Sequence, residues 1–312
     1  MRIFSSDAYP LPLPPGHRFP MAKYARLRRA VEEEGLAPAG LAVPGAATDE
    51  ELLRVHTRDW VERVTTGRLT PDELRRLGFP WSRELVERSR RSVGGTLGAC
   101  RSALASCGGV NLAGGTHHAF ADRGEGYCVF NDAAVAVAAL RAEGRIERAV
   151  ILDCDVHQGD GTATIFAGDP SVFTLSVHGR RNYPFRKARS DLDVALDDGA
   201  GDGEYLAALD GALDRVPLAG CGLAVYLAGA DPYAGDRLGR LALTPAGLAE
   251  RDRRVLTRCR EAGVPVAVAM AGGYAERIDE VVEIHLATVR AAVNLLDSGR
   301  ISAAGGSAGA SS

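Results

Sequence analysis

A chain of 312 residues with 37 basic and 40 acidic side chains is long enough to bury a large core. It has no basic excess or stripe, so a nucleic-acid footprint is not indicated. Six cysteines without C-x-x-C spacing read as reduced thiols. No apolar run is long enough for a signal peptide or a membrane span, so a soluble, cytoplasmic protein is expected. Lysine occurs only as Lys23 and Lys187, and this bias toward Arg, Ala and Gly points to a GC-rich bacterial genome.

Along the chain, Ile3-Phe4 opens as a short apolar run, and charged helical patterns follow at 21–35, 49–65 and 83–106. Residues 18–20 and 78–81 read as loops. Further apolar runs at 110–113, 149–152, 172–177, 223–228 and 264–270 read as strands, with helical patterns at 132–143, 202–214 and 244–262 between them. Strand-helix alternation with nearly continuous apolar strands predicts an α/β fold, a single parallel sheet covered by helices on both faces. No linker or internal repeat divides the chain, so one catalytic domain is expected over 1–300. The Gly/Ala/Ser-rich stretch 301–312 is expected to be a disordered tail.

Ligands of open parallel sheets bind beyond the carboxyl ends of the strands, and the polar clusters of this chain fall there. They are Gly114-Gly115-Thr116-His117-His118, then Asp153 to Gly161, Ser176-Val177-His178, Gly229-Ala230-Asp231 and Gly272-Gly273-Tyr274. In Asp153-Cys154-Asp155-Val156-His157, strand alternation places both acids and the imidazole on one side. Two carboxylates and an imidazole are costly to bury there unless a divalent cation compensates them. A plain strand-end turn is the alternative for that segment taken alone. Asp155, His157 and Asp231 make a three-ligand site with an open position, suited to Zn2+ or, under reducing conditions, Fe2+. His117 and His118 are candidates for acid/base work, and Asp153 and Asp160 for the carboxylates that orient them. Tyr274, after two glycines, can swing inward to donate to a developing oxyanion. Asn131 or Asp132 caps a helix, and Tyr127 lines an approach tunnel or packs in the core.

These segments together resemble the zinc-dependent histone deacetylase-like family of the arginase/deacetylase superfamily. The matching motifs are G-G-T-H-H, G-Y-C-x-x-N-D, D-C-D-V-H-Q-G-D-G, G-A-D-x-x-x-G-D-R-L-G and G-G-Y, in family order from about residue 10 to 290. Gln158, Asp122-Arg123-Gly124 and the short G-G-Y-A-E-R segment are most similar to class IV and its bacterial relatives. The resemblance implies metal ligation by Asp155, His157 and Asp231. It makes His117 and His118 the acid/base pair, supported by Asp153 and Asp160 respectively, and Tyr274 the group that polarises the scissile carbonyl. It puts the Gly126 carbonyl, Tyr127 and Leu238 along the substrate tunnel. It also implies a structural K+ held by Asp153, Asp155, His157, Ser176 and Val177.

Three family features have no clear counterpart. The tunnel aromatic is missing from Gly179-Arg180-Arg181, leaving Tyr183 or Phe185 as substitutes. Lys23 is the candidate for the internal-channel arginine. No acidic residue is placed to grip the substrate backbone. One tunnel wall is therefore expected to be open enough for acyl groups larger than acetyl. The implied activity is hydrolysis of an acyl group from the ε-amine of lysine in proteins or peptides. Rival readings are an acylpolyamine or small-amide deacylase, a non-catalytic binding protein on the same fold, and a dinuclear ureohydrolase. The last is opposed by the His-His and Gly-Gly-Tyr motifs.

Overall fold

The computed structural model describes residues 1–297, so the expected tail at 301–312 lies outside the described residues. Seven strands, all parallel, form one sheet. In chain order they are β1 (Arg2–Phe4), β2 (Gly108–Asn111), β3 (Ala149–Asp153), β4 (Val172–Gly179), β5 (Leu192–Leu196), β6 (Leu223–Ala228) and β7 (Val266–Met270). Their order across the sheet is β1-β2-β7-β6-β3-β4-β5. All the expected strands are present. Strand β5 is additional: Leu192-Asp193-Val194-Ala195-Leu196 sits at an edge, is only partly buried, and has its apolar run broken by Asp193 between Asp191 and Asp197.

Alternation along the strands divides the core in two. Val150 and Leu152 of β3, with Ala224 and Tyr226 of β6, pack in one cluster with Leu209, Val255 and Val289. These come from α8 (Asp202–Leu213), α9 (Pro245–Glu261) and α10 (Ile278–Ala292). Ile151 and Val225 point the other way, toward Leu97 and Val137, which belong to α5 (Arg83–Ser106) and α6 (Asp132–Ala142). Both faces are thus apolar and covered, and each fully buried aliphatic side chain contributes roughly 1.5–3 kcal/mol. No helix among the described residues is long and apolar enough to cross a membrane.

A third cluster lies off the sheet, built from Trp60, Leu77, Phe79, Leu85 and Phe130. The N-terminal region supplies α1 (Ala22–Glu33) and, in place of the single helix expected at 49–65, two short ones followed by a third beyond it. These are α2 (Asp49–Leu52), α3 (Arg58–Thr66) and α4 (Pro71–Leu77). The break has a local cause. Thr57 takes extended geometry and caps α3 through Trp60 N–H, while the His56 imidazole turns inward to the backbone of Phe120 and Asn131. A further short helix, α7 (Asp160–Ile165), follows β3.

Candidate active site

Loops at the carboxyl ends of β2, β7, β6 and β3, four neighbouring strands, converge on one cavity of about 280 Å³. Its lining includes His117, His118, Gly126, Tyr127, Asp155, His157, Asp231, Leu238 and Tyr274. Asp153 and Asp160 lie behind the two histidines, and Ser176 and Val177 on β4 lie beside Asp153, which pairs with Ser176 in register. The structure therefore brings together all the residues singled out in the sequence.

The Gly-Gly-Thr-His-His loop is shaped by Asp132. Its carboxylate accepts from Gly115 N (3.1 Å), Thr116 N (2.8 Å) and Thr116 Oγ1 (2.6 Å). Gly114 has φ +99, and a Cβ there would lie 2.4 Å from Asp132 Oδ2, so only glycine fits. Asn131, not Asp132, caps α6, accepting from Ala134 N at 3.0 Å. The loop delivers His117 and His118 side by side, ring centroids 4.2 Å apart. His117 Nδ1 is 2.6 Å from Asp153 Oδ2, and His118 Nδ1 is 2.6 Å from Asp160 Oδ1. With each Nδ1–H donated to its carboxylate, each Nε2 is left for the cavity. Burial lowers His117, but Asp153 and Asp155 outweigh it and raise the imidazole to about 9. His118 is pushed down to about 4 by burial and by the charge of His117. Two adjacent imidazoles thus have opposite preferences for the proton.

Asp155, His157 and Asp231 present one donor atom each, all within 4.8 Å of one another and all buried. Asp155 Oδ1 accepts from His157 N and Nδ1, both at 2.9 Å, and Oδ2 accepts from Gly272 N at 2.7 Å. Asp231 Oδ1 accepts from Val156 N at 2.9 Å. Its Oδ2 has no hydrogen bond, although His157 Nδ1 lies 3.2 Å away. Burial and Asp155 push the Asp231 carboxyl up, while the hydrogen bond to Asp155 and the nearby carboxylates of Asp155 and Asp231 overcome burial to hold the His157 imidazole up. This is a strained electrostatic balance, because two buried carboxylates share one imidazole. Gly272 leaves the space open: a Cβ there would fall 1.8 Å from Asp231 Oδ2 and 2.6 Å from Asp155 Oδ2. An orphaned buried oxygen, a cleared cradle and an N/O donor set are what a divalent cation requires.

Tyr274 is buried, with its backbone gripped on both sides. Its N–H donates to Asp236 Oδ2 at 2.5 Å, and its carbonyl accepts from Arg237 Nε at 2.9 Å. Its ring stands 6.0 Å from that of Tyr127, which lines the cavity and also packs on Phe79. The open wall expected opposite Tyr127 is closed. Tyr183 folds back with its ring edge-on to His118 at 4.9 Å, and its hydroxyl donates to Glu125 at 2.8 Å. Phe185, the other substitute, is 86% exposed. Of the two substitutes it is Tyr183 that fills the place, because the turn at 179–182 brings it back. Asn182 holds that turn by donating to Leu238 O at 2.8 Å.

Lys23 is buried at a smaller inner cavity of about 70 Å³ behind Tyr127 and Tyr274. Its Nζ donates to the carbonyls of Ala271 (3.3 Å) and Gly273 (3.5 Å), and Arg88 lines the same cavity. Arg251 is a residue that the reading of motifs missed. Fully buried on α9, it donates through Nη1 to Cys154 O (3.1 Å) and Gly229 O (2.6 Å), tying together the chain just before Asp155 and just before Asp231. Its partner Asp252 takes Arg251 Nε (2.9 Å), Tyr226 OH (2.5 Å) and Thr288 Oγ1 (2.5 Å). The available signal was a charged pair falling between Leu248 and Val255 on the apolar face of α9.

The sheet is parallel throughout and carries an acid-and-imidazole site at its carboxyl edge. The histone deacetylase domain model matches residues 17–289, and the chain belongs to that family. A 44% identical relative from Picosynechococcus sp. covers 91% of this chain and 95% of its own length, and is described as an uncharacterized protein. Histone deacetylase 2 of Arabidopsis thaliana is 32% identical over 83% of this chain and 70% of its own. The acetoin utilization protein AcuC of Bacillus subtilis is 34% identical over 46% of this chain and 40% of its own. Among solved structures, a histone deacetylase homologue complexed with SAHA superposes with a TM-score of 0.80 at 24% identity, over 94% of this chain and 84% of that one. The HDA15 HD domain superposes with a TM-score of 0.79 at 23% identity, over 95% and 89%.

Proposed function

We propose that this protein hydrolyses acyl groups from the ε-amine of lysine in proteins or peptides. The observation that carries the reading is the pairing of two buried, carboxylate-supported imidazoles with the Asp155–His157–Asp231 cluster at the floor of one cavity. In this reading Asp155, His157 and Asp231 hold a divalent cation, Zn2+ or Fe2+, which when bound supplies Lewis acidity toward water and the scissile carbonyl. His118 Nε2, unprotonated near neutral pH, accepts the proton of the attacking water and returns it to the departing lysine amine. His117, kept cationic by Asp153, steadies the negative charge that develops beside it. Tyr274 donates its phenolic proton to the oxyanion, and its backbone is fixed for this by Asp236 and Arg237. Tyr127 and Tyr183 form two walls of the slot for the lysine stem, with Gly126 and Leu238 at its sides. Asp153, Asp155, His157, Ser176 and Val177 cluster where β3 and β4 end, and are assigned to a structural K+ beneath the site.

The test is a panel of acetyl-, lactyl- and long-chain acyl-lysine peptides beside acetylpolyamines, with the metal content of the protein measured in parallel. Turnover of the lysine peptides is expected, with short acyl groups favoured because Tyr183 closes the wall. Asp231→Ala is expected to purify folded with much less metal by elemental analysis. Full occupancy in that variant removes Asp231 from the ligand set, and turnover of acetylpolyamines alone replaces the lysine reading.

A further inference from the structure

The cavity that holds the candidate site has Arg181 and Arg240 in its lining, and an adjoining cavity is lined by Arg18, Arg237, Leu238 and Tyr274. Leu238 and Tyr274 are common to both, so the two cavities adjoin and four arginines line them between them. The only carboxylates in the two linings are Asp155 and Asp231, buried on the floor. We infer that this entrance selects acyl-lysine set in an acidic stretch of polypeptide, an inference that rests on the deacylase reading above.

Charge at the entrance is poorly compensated. Asp198 serves two guanidiniums, 3.2 Å from Arg240 and 3.9 Å from Arg181. Arg237 spends Nε on the Tyr274 carbonyl and, like the exposed Arg18, has no carboxylate partner among the described residues. Glu125, bonded to Tyr183 of the slot, is not free to balance them. One of its oxygens takes Arg123 Nε and the other takes Tyr183 OH, both at 2.8 Å. The chain as a whole carries a net charge of −3, so the basic entrance is local and not a consequence of composition.

The second cavity shares Leu238 and Tyr274 with the first but has none of His117, His118, Asp155, His157 or Asp231 in its lining. The group that meets Arg18 and Arg237 is therefore not the acyl chain but a neighbour of the modified lysine. A polypeptide can place aspartate or glutamate there, and opposite charge across an entrance accelerates encounter and fixes register. An acylpolyamine would bring further ammonium groups among guanidiniums with no free carboxylate to receive them. Each exposed contact contributes modestly, about two- to fivefold, and exposed charges are screened by salt.

Three acetyl-lysine peptides that differ only in flanking residues (Glu, Gln or Lys on both sides) test this with the metal-loaded full chain. kcat/KM is expected to be about five- to tenfold higher for the Glu-flanked than for the Gln-flanked peptide at low salt, lowest for the Lys-flanked one, and nearly equal at 0.5 M NaCl. Fluorescence anisotropy of dye-labelled peptides on metal-free protein should rank them in the same order. The double variant Arg18→Glu, Arg181→Glu is expected to invert the order of the Glu- and Lys-flanked peptides. Equal rates and affinities across the three at low salt, or an unchanged order in the double variant, overturn the entrance inference while leaving the deacylase reading standing. No turnover of any peptide, the Gln-flanked one included, overturns that reading and the inference with it.

Discussion

At the scale of single residues, the site depends on groups whose backbone is held as firmly as their side chains. Tyr274 follows Gly273 at φ +151, is pinned at its N–H and carbonyl, and has its ring beside Tyr127. Removing only its hydroxyl should leave that scaffold in place. Tyr274→Phe is expected to keep wild-type circular dichroism and metal content while kcat falls roughly 10²–10³-fold, the usual loss for one oxyanion donor. A loss of tenfold or less would assign the oxyanion to other groups. Much of this was legible in the sequence because the chemistry-bearing residues cluster in short motifs beside strand ends. Tyr183 was legible only as one of two candidates beside Phe185, and Arg251 not at all. Tyr183 reaches the slot through a turn whose path depends on Asn182 bonding to Leu238, far along the chain. Arg251 acts through carbonyl oxygens, which leave no mark on residue identity.

At the scale of elements, helix caps and loop anchors decide where the strand-end loops lie. Three neutral contacts meet at His56. Its Nδ1 lies 3.0 Å from Phe120 O, its Nε2 accepts from Asn131 N at 3.0 Å, and its ring packs 5.2 Å from Phe130. This joins the start of α3 to the cap of α6 and to the loop after the histidine pair. Burial lowers the imidazole to about 4, and a proton on Nε2 would abolish its role as acceptor. The ordinary value is near 6.5, so below that pH the unfolded chain binds a proton that the folded chain refuses. The stabilisation is whole above pH 6.5 and is lost as the pH falls toward 4, by about 2 kcal/mol between pH 7 and pH 5. Urea midpoints of wild type and His56→Gln measure this. The amide can donate to Phe120 and accept from Asn131 without titrating, so the variant is expected to show a flatter acid limb. An identical limb would trace the acid sensitivity to other groups. The three short helices at 49–77 were only partly legible, because apolar spacing does not show that His56 turns inward and interrupts the run.

At the scale of the whole molecule, the sheet order was beyond reach of a linear reading, although its parallel character followed from the apolar strands. The edge strand β5 went unseen because Asp193 breaks its short apolar run and acidic residues flank it. Candidate ligands come from the ends of β3 and β6, adjacent in the sheet and remote in sequence, with Arg251 bracing both. An ion bound there joins parts of the fold that separate on unfolding, so its binding free energy adds to stability. At a free zinc concentration one hundred times its Kd, the gain is about 2.7 kcal/mol. Thermal denaturation is expected to shift upward on adding zinc to the metal-free chain and back on chelation, and Asp231→Ala should show little of either shift. Equal shifts in both proteins would place the ion elsewhere.

The strand order has a consequence for how the chain is made. Strands β2 and β3 leave the ribosome early, yet they are not neighbours; β7 and β6, from the last third of the chain, fill the gap between them. Until those arrive, the apolar strand Val150-Ile151-Leu152 keeps one edge open, and β2 waits beside an empty lane. Pairings of such long sequence separation form slowly, and an open apolar edge invites association with other chains in the meantime. The same wedge that sets the four loops side by side leaves the nascent polypeptide open to such association until its final strand is translated.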